Sequence, residues 1–275
     1  MKAQKIARTA LGIGLRPPHY QALSDQKPTT IDFLEIIVEN YFDQQGVAYA
    51  RLKQIAEHYP LAAHGVSLNL LGSDPLDETY LVQVKKLIDD FSIPYASDHL
   101  CWNHTNGVYH HDLLPAPYHA DLIPYVAERA AYVQSFLGVP FGIENLSSYL
   151  TWQQDQMHEW EFYTRLVEEA GCWYMLDINN IYVSSQNQQF DPMTYLEAIN
   201  WDRVLQVHLA GHQVLANGIH HDTHDRPVLE EVWALYKKAW EIGGPFPTLI
   251  EWDEQVPTLD QVIAEAQKAR QWAKK

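Results

Sequence analysis

Histidine and acidic residues recur in this 275-residue chain within short apolar runs that are typical of buried strands. Such strands are normally apolar, because an imidazole or a carboxylate removed from water is costly unless it is paired or coordinates a metal. Six of the residues that depart from this expectation each lie in a different run: His64, His99, Glu144, Asp177, His208 and Glu251. Imidazole and carboxylate groups are the ligands of Zn, Mn and Fe sites. The pattern therefore predicts a catalytic transition-metal centre.

Taken one at a time, these residues also have ordinary structural roles. His64 could be a core histidine that is hydrogen-bonded to the backbone, and Asp177 could start a turn before Asn179. Surface charge has no reason to follow the ends of successive strands, however, so the joint placement favours ligands. The only cysteines, Cys101 and Cys172, form no cluster, which argues against a structural zinc or an iron–sulfur centre.

Further candidate ligands follow the seventh run. Asp222 and His224 are two residues apart and would face the same side of an extended segment. This loop could complete a second or third metal site. Arg16 follows the first run and Glu39 closes the second, where they could orient ligands or bind a substrate carboxylate. Helix caps and salt bridges are the alternative roles for these two residues.

Eight apolar, β-rich runs predict strands: Leu11–Leu15, Phe33–Val38, Leu61–Leu68, Tyr95–Leu100, Phe141–Leu146, Trp173–Ile178, Val204–Leu209 and Thr248–Trp252. Between most of them lie stretches with helical periodicity, such as Leu81, Val84, Leu87 and Ile88, or Leu259, Val262, Ile263 and Ala266. Alternating strands and helices predict parallel strands, and eight units favour an α/β fold of the (β/α)8 TIM-barrel type. An open Rossmann-like sheet is the alternative, but no G-x-G-x-x-G follows the first strand.

The chain length agrees with one barrel domain across residues 1–275, since such barrels have about 250 residues. Their active sites lie at the C-terminal ends of the strands. The two longest stretches expected to be irregular, Asn103–Tyr118 and His212–Pro227, follow predicted strands and should lie on that face. We expect the metal site there.

The formal net charge of −16 comes from 35 acidic and 19 basic residues. Nucleic acids and anionic membrane surfaces are bound through Lys and Arg, so neither is an expected partner. No run approaches the ~20 apolar residues that span a bilayer, and residues 1–15 lack the features of a signal peptide. These features and the two cysteines favour a cytoplasmic location.

Six segments carry a family resemblance when they are compared together: Gly12-Ile13-Gly14-Leu15-Arg16, Ser97-Asp98-His99-Leu100, Asp112-Leu113-Leu114-Pro115, Glu144-Asn145, Leu176-Asp177-Ile178-Asn179-Asn180 and Asp222-Thr223-His224-Asp225. In this order they resemble the DUF692 family, the multinuclear non-heme iron-dependent oxidative enzymes related to the methanobactin-biosynthesis oxidase. The resemblance runs from about residue 11 to residue 270. It implies a xylose-isomerase-like TIM barrel, which agrees with the strand count.

The resemblance also implies a ligand set, carried over position by position: His64, His99 and Glu144 for one iron, Asp177, His208 and Glu251 for a second, and Asn180, Asp222 and His224 for a third that some members hold. Glu144 would be able to bridge the first two ions. The amide oxygen of Asn180 is a weaker ligand than the imidazole that some relatives place there.

Characterised members resemble oxidases that use dioxygen to modify cysteine residues of ribosomally made precursor peptides. The resemblance therefore implies two or three iron ions, dioxygen as co-substrate, a cysteine-containing precursor peptide and a leader-binding partner protein. Two alternatives stay open from the residues alone. One is a sugar isomerase or hydrolase that uses Mn, Mg or Zn, because these ions also take oxygen and nitrogen ligands. The other is a non-catalytic metal-binding module.

Overall fold

A computed structural model describes residues 5–273, apart from the side chain of His111. Residues 1–4 and 274–275 lie outside the described residues. The first of these ranges is part of residues 1–15, where we expected no signal peptide. Within the described range the strands are β1 (Leu11–Gly14), β2 (Phe33–Ile37), β3 (Leu61–Gly65), β4 (Ala96–His99), β5 (Trp102–Thr105), β6 (Val108–Leu114), β7 (Phe141–Glu144), β8 (Trp173–Asp177), β9 (Val204–Leu209), β10 (Gln213–Val214), β11 (His220–His221) and β12 (Thr248–Ile250).

Eight of these strands close into a parallel barrel in the order β1-β12-β9-β8-β7-β4-β3-β2. The α-helices of the described chain are α1 (Tyr20–Gln26), α2 (Val47–Ala56), α3 (Glu78–Phe91), α4 (Leu122–Leu137), α5 (Glu159–Ala170), α6 (Ile178–Gln188), α7 (Pro192–Ala198), α8 (Glu230–Gly243) and α9 (Leu259–Trp272). The predicted (β/α)8 barrel is confirmed, and all eight predicted runs contain a barrel strand. None of the helices in residues 5–273 combines the length and the apolarity that a membrane crossing requires.

The predicted helical periodicity is confirmed in α3 and α9. In α3 the stripe of Leu81, Val84, Leu87 and Ile88 is buried. The helix begins after Asp77, whose side chain accepts hydrogen bonds from the backbone N–H groups of the first turn. Such a cap satisfies donors that have no partner within the helix.

The barrel interior has an apolar floor below a polar layer. Four strand residues and the residue that precedes β4 pack together in this floor: Phe33, Ala62, Tyr95, Met175 and Leu249. Each floor residue is followed two positions later along the chain by a polar residue: Glu35, His64, Ser97, Asp177 and Glu251. Because strand side chains alternate between faces, residues i and i+2 share the interior. The polar layer therefore lies toward the C-terminal ends of the strands.

Both stretches that were expected to be irregular contain a hairpin, so that expectation was wrong. Within Asn103–Tyr118, Asn106 (φ 50°) and Gly107 (φ 74°) form the turn between the antiparallel strands β5 and β6. Both central residues of such a turn need positive φ, which Asn-Gly tolerates. Within His212–Pro227, β10 pairs with β11. One hairpin, β5–β6, therefore follows barrel strand β4, and a second, β10–β11, follows barrel strand β9.

Candidate metal centre

All nine predicted ligands lie at or beyond the C-terminal ends of barrel strands. In the barrel ladder His99 is paired with Glu144, and Asp177 is paired with His208. A cavity of about 350 Å³ lies at this end of the barrel, and seven of the nine residues line it: His64, His99, Glu144, Asn180, Asp222, His224 and Glu251. The other two, Asp177 and His208, have no exposed surface.

The rings of His64 and His99 are oriented through their Nδ1 atoms. His99 Nδ1 lies 3.2 Å from the Gly65 carbonyl oxygen, which can only accept, so Nδ1 carries the proton. His64 Nδ1 lies 2.8 Å from Ser97 Oγ, and that hydroxyl donates to a backbone carbonyl 3.4 Å away. Ser97 therefore accepts from His64. With a proton on Nδ1, Nε2 is the ring nitrogen that can offer a lone pair to a metal.

These two lone pairs converge on one carboxylate oxygen. Nε2 of His64 lies 3.2 Å from Glu144 Oε2, and Nε2 of His99 lies 3.5 Å from the same atom. Glu144 Oε2 is buried and accepts no hydrogen bond of acceptable geometry from the described residues. Three electron-rich atoms that face one another in a buried space fit a bound cation.

The pKa shifts agree with this arrangement. Burial and the neighbouring rings of His99 and His208 lower the pKa of His64 well below its ordinary value, so the ring is neutral. Burial raises the pKa of Glu144 to about 7, although the nearby His208 opposes the shift. A cation would favour the carboxylate form.

A second group forms around His208. Its Nδ1 lies 3.0 Å from Glu144 Oε1 and 3.3 Å from Glu251 Oε2. Its Nε2 lies 3.0 Å from Glu35 Oε1. Gln206 Nε2 lies 2.9 Å from the same ring nitrogen and 2.6 Å from Glu35 Oε2. We assign the amide proton of Gln206 to Glu35, because a carboxylate is the stronger acceptor and is nearer.

With that assignment, His208 donates Nε2–H to Glu35 and directs Nδ1 toward the other carboxylates. Burial lowers the pKa of His208, but the negative charges of Glu35, Glu144 and Glu251 outweigh it and raise the pKa well above its ordinary value. Without metal the ring is therefore protonated at both nitrogens. If Nδ1 held a metal, that nitrogen would carry no proton, and Nε2–H would still donate to Glu35, as in the carboxylate–histidine–metal arrangement.

Asp177 completes this second group. One ligand atom each from Glu144, Asp177, His208 and Glu251 lies within 4.8 Å of the others. Asp177 Oδ1 accepts the backbone N–H of Asn180 at 2.7 Å, whereas Oδ2 is buried without a partner among the described residues. Burial raises the pKa of Asp177 to about 7. These donors also fit a metal ion.

A third group joins His224 with Glu251 and Asp253, again with donor atoms within 4.8 Å of one another. His224 Nδ1 lies 3.4 Å from Glu251 Oε2 and 3.2 Å from Asp253 Oδ2, and its Nε2 lies 2.8 Å from Asp222 Oδ1. Asp222 and His224 are in contact, but His224 has φ 44°, so the segment is not extended there. Arg16 forms ion pairs with Asp253 and Glu251, in agreement with an orienting role.

Asn180 lies beside these groups with its amide engaged. Its Oδ1 accepts from Ser147 Oγ at 2.7 Å, and its Nδ2 donates to the Asn145 carbonyl oxygen at 3.1 Å. One lone pair of Oδ1 stays available to a metal. Glu39, in contrast, accepts from Val66 N and Tyr80 Oη and belongs to none of the three groups.

A hydrogen-bonded chain supports Asp222 from behind. Asn179 Nδ2 donates to Asp222 Oδ1 at 2.7 Å, and Asn179 Oδ1 lies 2.7 Å from His212 Nδ1. His212 Nε2 lies 2.9 Å from His220 Nδ1. These hydrogen bonds fix the orientation of the Asn179 amide. The amide in turn fixes the Asp222 carboxylate, which lies next to His224.

Sequence reasoning missed Glu35 and Asp253. Glu35 carried a signal, since it is a lone carboxylate within the apolar run Phe33–Val38. Asp253 carried another, because it follows Glu251 by two residues. The side chains of Cys101 and Cys172 are both buried, and the two are not disulfide-bonded.

Several known proteins resemble this chain in sequence. An UPF0276 protein of Acaryochloris marina is 45% identical over 267 residues, which cover 96% of each chain. An UPF0276 protein of Caulobacter vibrioides is 43% identical over 263 residues, covering 95% of this chain and 94% of its own. UPF0276 proteins constitute the DUF692 family.

Solved structures resemble the fold at low sequence identity. A xylose isomerase-like TIM barrel protein from Mycobacterium smegmatis superposes with a TM-score of 0.61 at 11% identity, covering 98% of both chains. A D-allulose 3-epimerase from Methylomonas sp. gives a TM-score of 0.63 at 11% identity, also over 98% of both chains. These likenesses establish the xylose-isomerase-like barrel alone.

The family model described as RiPP precursor modification enzyme MbnB/TglH/ChrH matches residues 10–274. RiPPs are ribosomally synthesised and post-translationally modified peptides, so this family acts on peptide precursors. The match spans the whole barrel and every residue of the three candidate metal groups. The chain therefore belongs to the MbnB/TglH/ChrH family of RiPP precursor modification enzymes.

Proposed function

We propose that this chain is a multinuclear iron-dependent oxidase that uses dioxygen to modify cysteine residues of a ribosomally synthesised precursor peptide. One observation carries the multinuclear part. The two oxygens of Glu144 face different ligand groups, Oε2 toward His64 and His99 and Oε1 toward His208. A carboxylate in that position can bridge two ions.

Three ion positions follow in this proposal. His64, His99 and Glu144 would hold the first ion, and Glu144, Asp177, His208 and Glu251 the second. His224 would hold the third with Glu251 and the neighbouring oxygen donors Asp222, Asp253 and Asn180. Iron at these positions would supply the one-electron chemistry that reactions of dioxygen require.

The protein's own residues would position the peptide and limit access of water. Ile37, Val66, Leu113 and Leu146 contribute apolar surface to the 350 Å³ cavity, which suits a cysteine side chain beside the ligand groups. Glu35 and Ser97 would keep His208 and His64 in their metal-binding orientations. Substrate placed against a preorganised site gains much of its reactivity from orientation.

The test begins with metal content. The protein is purified from its natural host without oxygen, and its metals are measured by elemental analysis and Mössbauer spectroscopy. We expect two or three irons per chain. Manganese or zinc in place of iron would favour the sugar isomerase or hydrolase. Bound metal without turnover of any substrate would favour the metal-binding module.

Turnover is tested next with the Fe(II)-reconstituted protein and a cysteine-containing precursor peptide encoded next to its gene, supplied with any small partner protein encoded there. We expect an oxygen-dependent mass change at cysteine. Glu144→Gln should abolish the change and lower the iron content, whereas Glu197→Gln, an exposed position on α7, should preserve both. An iron-loaded protein that leaves every such cysteine peptide unchanged would contradict the proposal.

A further inference from the structure

The loop that connects β7 to α5 lines two cavities. Its first part, including Leu146, Ser147 and Tyr149, lines the metal cavity. Its second part, together with the beginning of α5, lines a separate cavity of about 540 Å³. None of the ligand candidates lines this second cavity, which we call the loop pocket.

The charged side chains that line the loop pocket are all acidic. Three carboxylates line it, those of Asp155, Glu159 and Glu161, and neither Lys nor Arg is among its lining residues. Two of the three already accept from the backbone. Asp155 accepts from Tyr118 N and Trp152 N, both at 2.8 Å, and Glu161 accepts from His158 N at 2.9 Å. Glu159 is the carboxylate left to bind a ligand.

Glu159 is 8% exposed, and its buried Oε1 has no hydrogen-bond partner among the described residues. Burial raises the pKa of Glu159 to about 8, and the neighbouring Tyr195 hydroxyl and Leu146 backbone offset this shift only in part. An uncompensated buried carboxylate is costly unless a ligand satisfies it. Without a ligand the carboxyl is therefore largely protonated at pH 7, and a cation bound in the pocket would favour its ionised form.

Aromatic rings form the rest of the wall. Trp152 and Phe190 are half-buried and line the pocket beside Trp160. The rings of Trp160 and Phe190 are 4.9 Å apart, and His158 stacks on Trp160 at 4.3 Å. Trp152 and Phe190 thus keep ring surface for a ligand, and such faces attract cations. Arg165 contacts the pocket residue Met157 at Sδ (3.7 Å), but it is exposed and does not itself line the pocket.

We propose that the loop pocket binds an organic cation, a guanidinium or alkylammonium group, between Glu159 and the aromatic wall. A metal ion is disfavoured, because the metal-type groups found among the described residues do not include Glu159. The volume accommodates a long basic side chain with its alkyl stem. Because one loop lines both cavities, a bound peptide could place an Arg or Lys side chain here; a free amine offers the same chemistry.

The experiment measures binding to the full, metal-free chain and needs no turnover, so its outcome is independent of the proposed oxidase activity. Nα-acetyl-arginine methylamide is titrated into ¹⁵N-labelled protein while the indole N–H signals are followed, and Trp152→Phe assigns the relevant signal. Nα-acetyl-citrulline methylamide is the neutral analogue. Agmatine reports on a free amine. Thermal unfolding of each variant checks its fold.

We expect saturable shifts with the arginine compound and binding of the citrulline compound weaker by about tenfold or more, since the charge-assisted hydrogen bond and the cation–π contact are lost. Glu159→Gln should weaken arginine binding to the same extent, whereas Glu169→Gln, an exposed position on the same helix, should not. Tighter binding of agmatine than of the arginine compound would identify a free amine as the ligand, and the reverse would identify a peptide side chain. Equal binding of arginine and citrulline, or an unchanged affinity in Glu159→Gln, would overturn the proposal.

Discussion

Metal-free protein should lose stability as the pH rises from 6.5 to 8. In the folded state the pKa values of Glu144, Asp177 and Asp98 are each raised to about 7, chiefly by burial. The carboxylates of their neighbours raise the pKa values of His208 and His224 well above ordinary. A group that binds its proton more tightly when folded stabilises the protein at low pH and loses that contribution as the pH rises through its folded pKa.

The size of the effect follows from these shifts. A carboxyl with a pKa near 7 when folded and near 4 when unfolded loses about 0.8 kcal/mol of stability between pH 6.5 and 8. An imidazole with a strongly raised pKa loses up to about 1.4 kcal/mol per pH unit. Glu159, with a folded pKa of about 8, adds about 1.6 kcal/mol by the same relation, so we expect a total of at least about 4 kcal/mol from these interacting groups. Groups with lowered pKa values, such as His64, act mainly below this window.

Chemical unfolding at 25 °C, after chelation and elemental analysis, measures this fall directly. With Fe(II) present and oxygen excluded the fall should be smaller, because metal ligands must be deprotonated. The Glu144→Gln/Asp177→Asn variant should reduce the fall of the metal-free protein by about 1.5 kcal/mol, the sum of two carboxyl contributions. Metal-free stability that is constant or rises over this pH range would refute the reasoning, because the carboxylates would then be ionised and hydrated.

Three substitutions test other parts of the structure. Glu35→Gln should weaken metal binding about 10- to 100-fold, because His208 would lose the carboxylate that orients its ring. Titration with Fe(II) would detect this change, and an Fe(II) affinity equal to that of the unsubstituted protein would argue against the orienting role of Glu35. Asn179→Ala should lower occupancy of the third ion only, measured as the iron-to-protein ratio, because the carboxylate of Asp222 loses its support. Gly12→Ala should destabilise the barrel by about 1–3 kcal/mol in a denaturant titration, since an added Cβ would lie 2.5 Å from an aromatic ring of β2; an unchanged midpoint would show that the floor can yield.

The barrel was predictable because its signal is local. Each strand is a short apolar run, and polar residues such as His64 and Asp177 are conspicuous within those runs. Alternation of strands and helices then requires parallel strands, whose C-terminal ends share one face. The hairpins were missed, although Asn106-Gly107 was a turn signal in the sequence, because the surrounding residues are polar and lack clear alternation.

The sequence by itself determined which segments form strands, the order in which candidate ligands follow those strands, and the residue types that face the barrel interior. Only the tertiary structure decided which atoms meet. Glu35 reaches His208 across 173 residues of sequence, and Arg16 reaches Asp253 across 237. Those contacts exist because the strands close into a ring that sets β1 beside β12. Ring orientations and unpartnered oxygens depend on such distant neighbours, which no local pattern encodes.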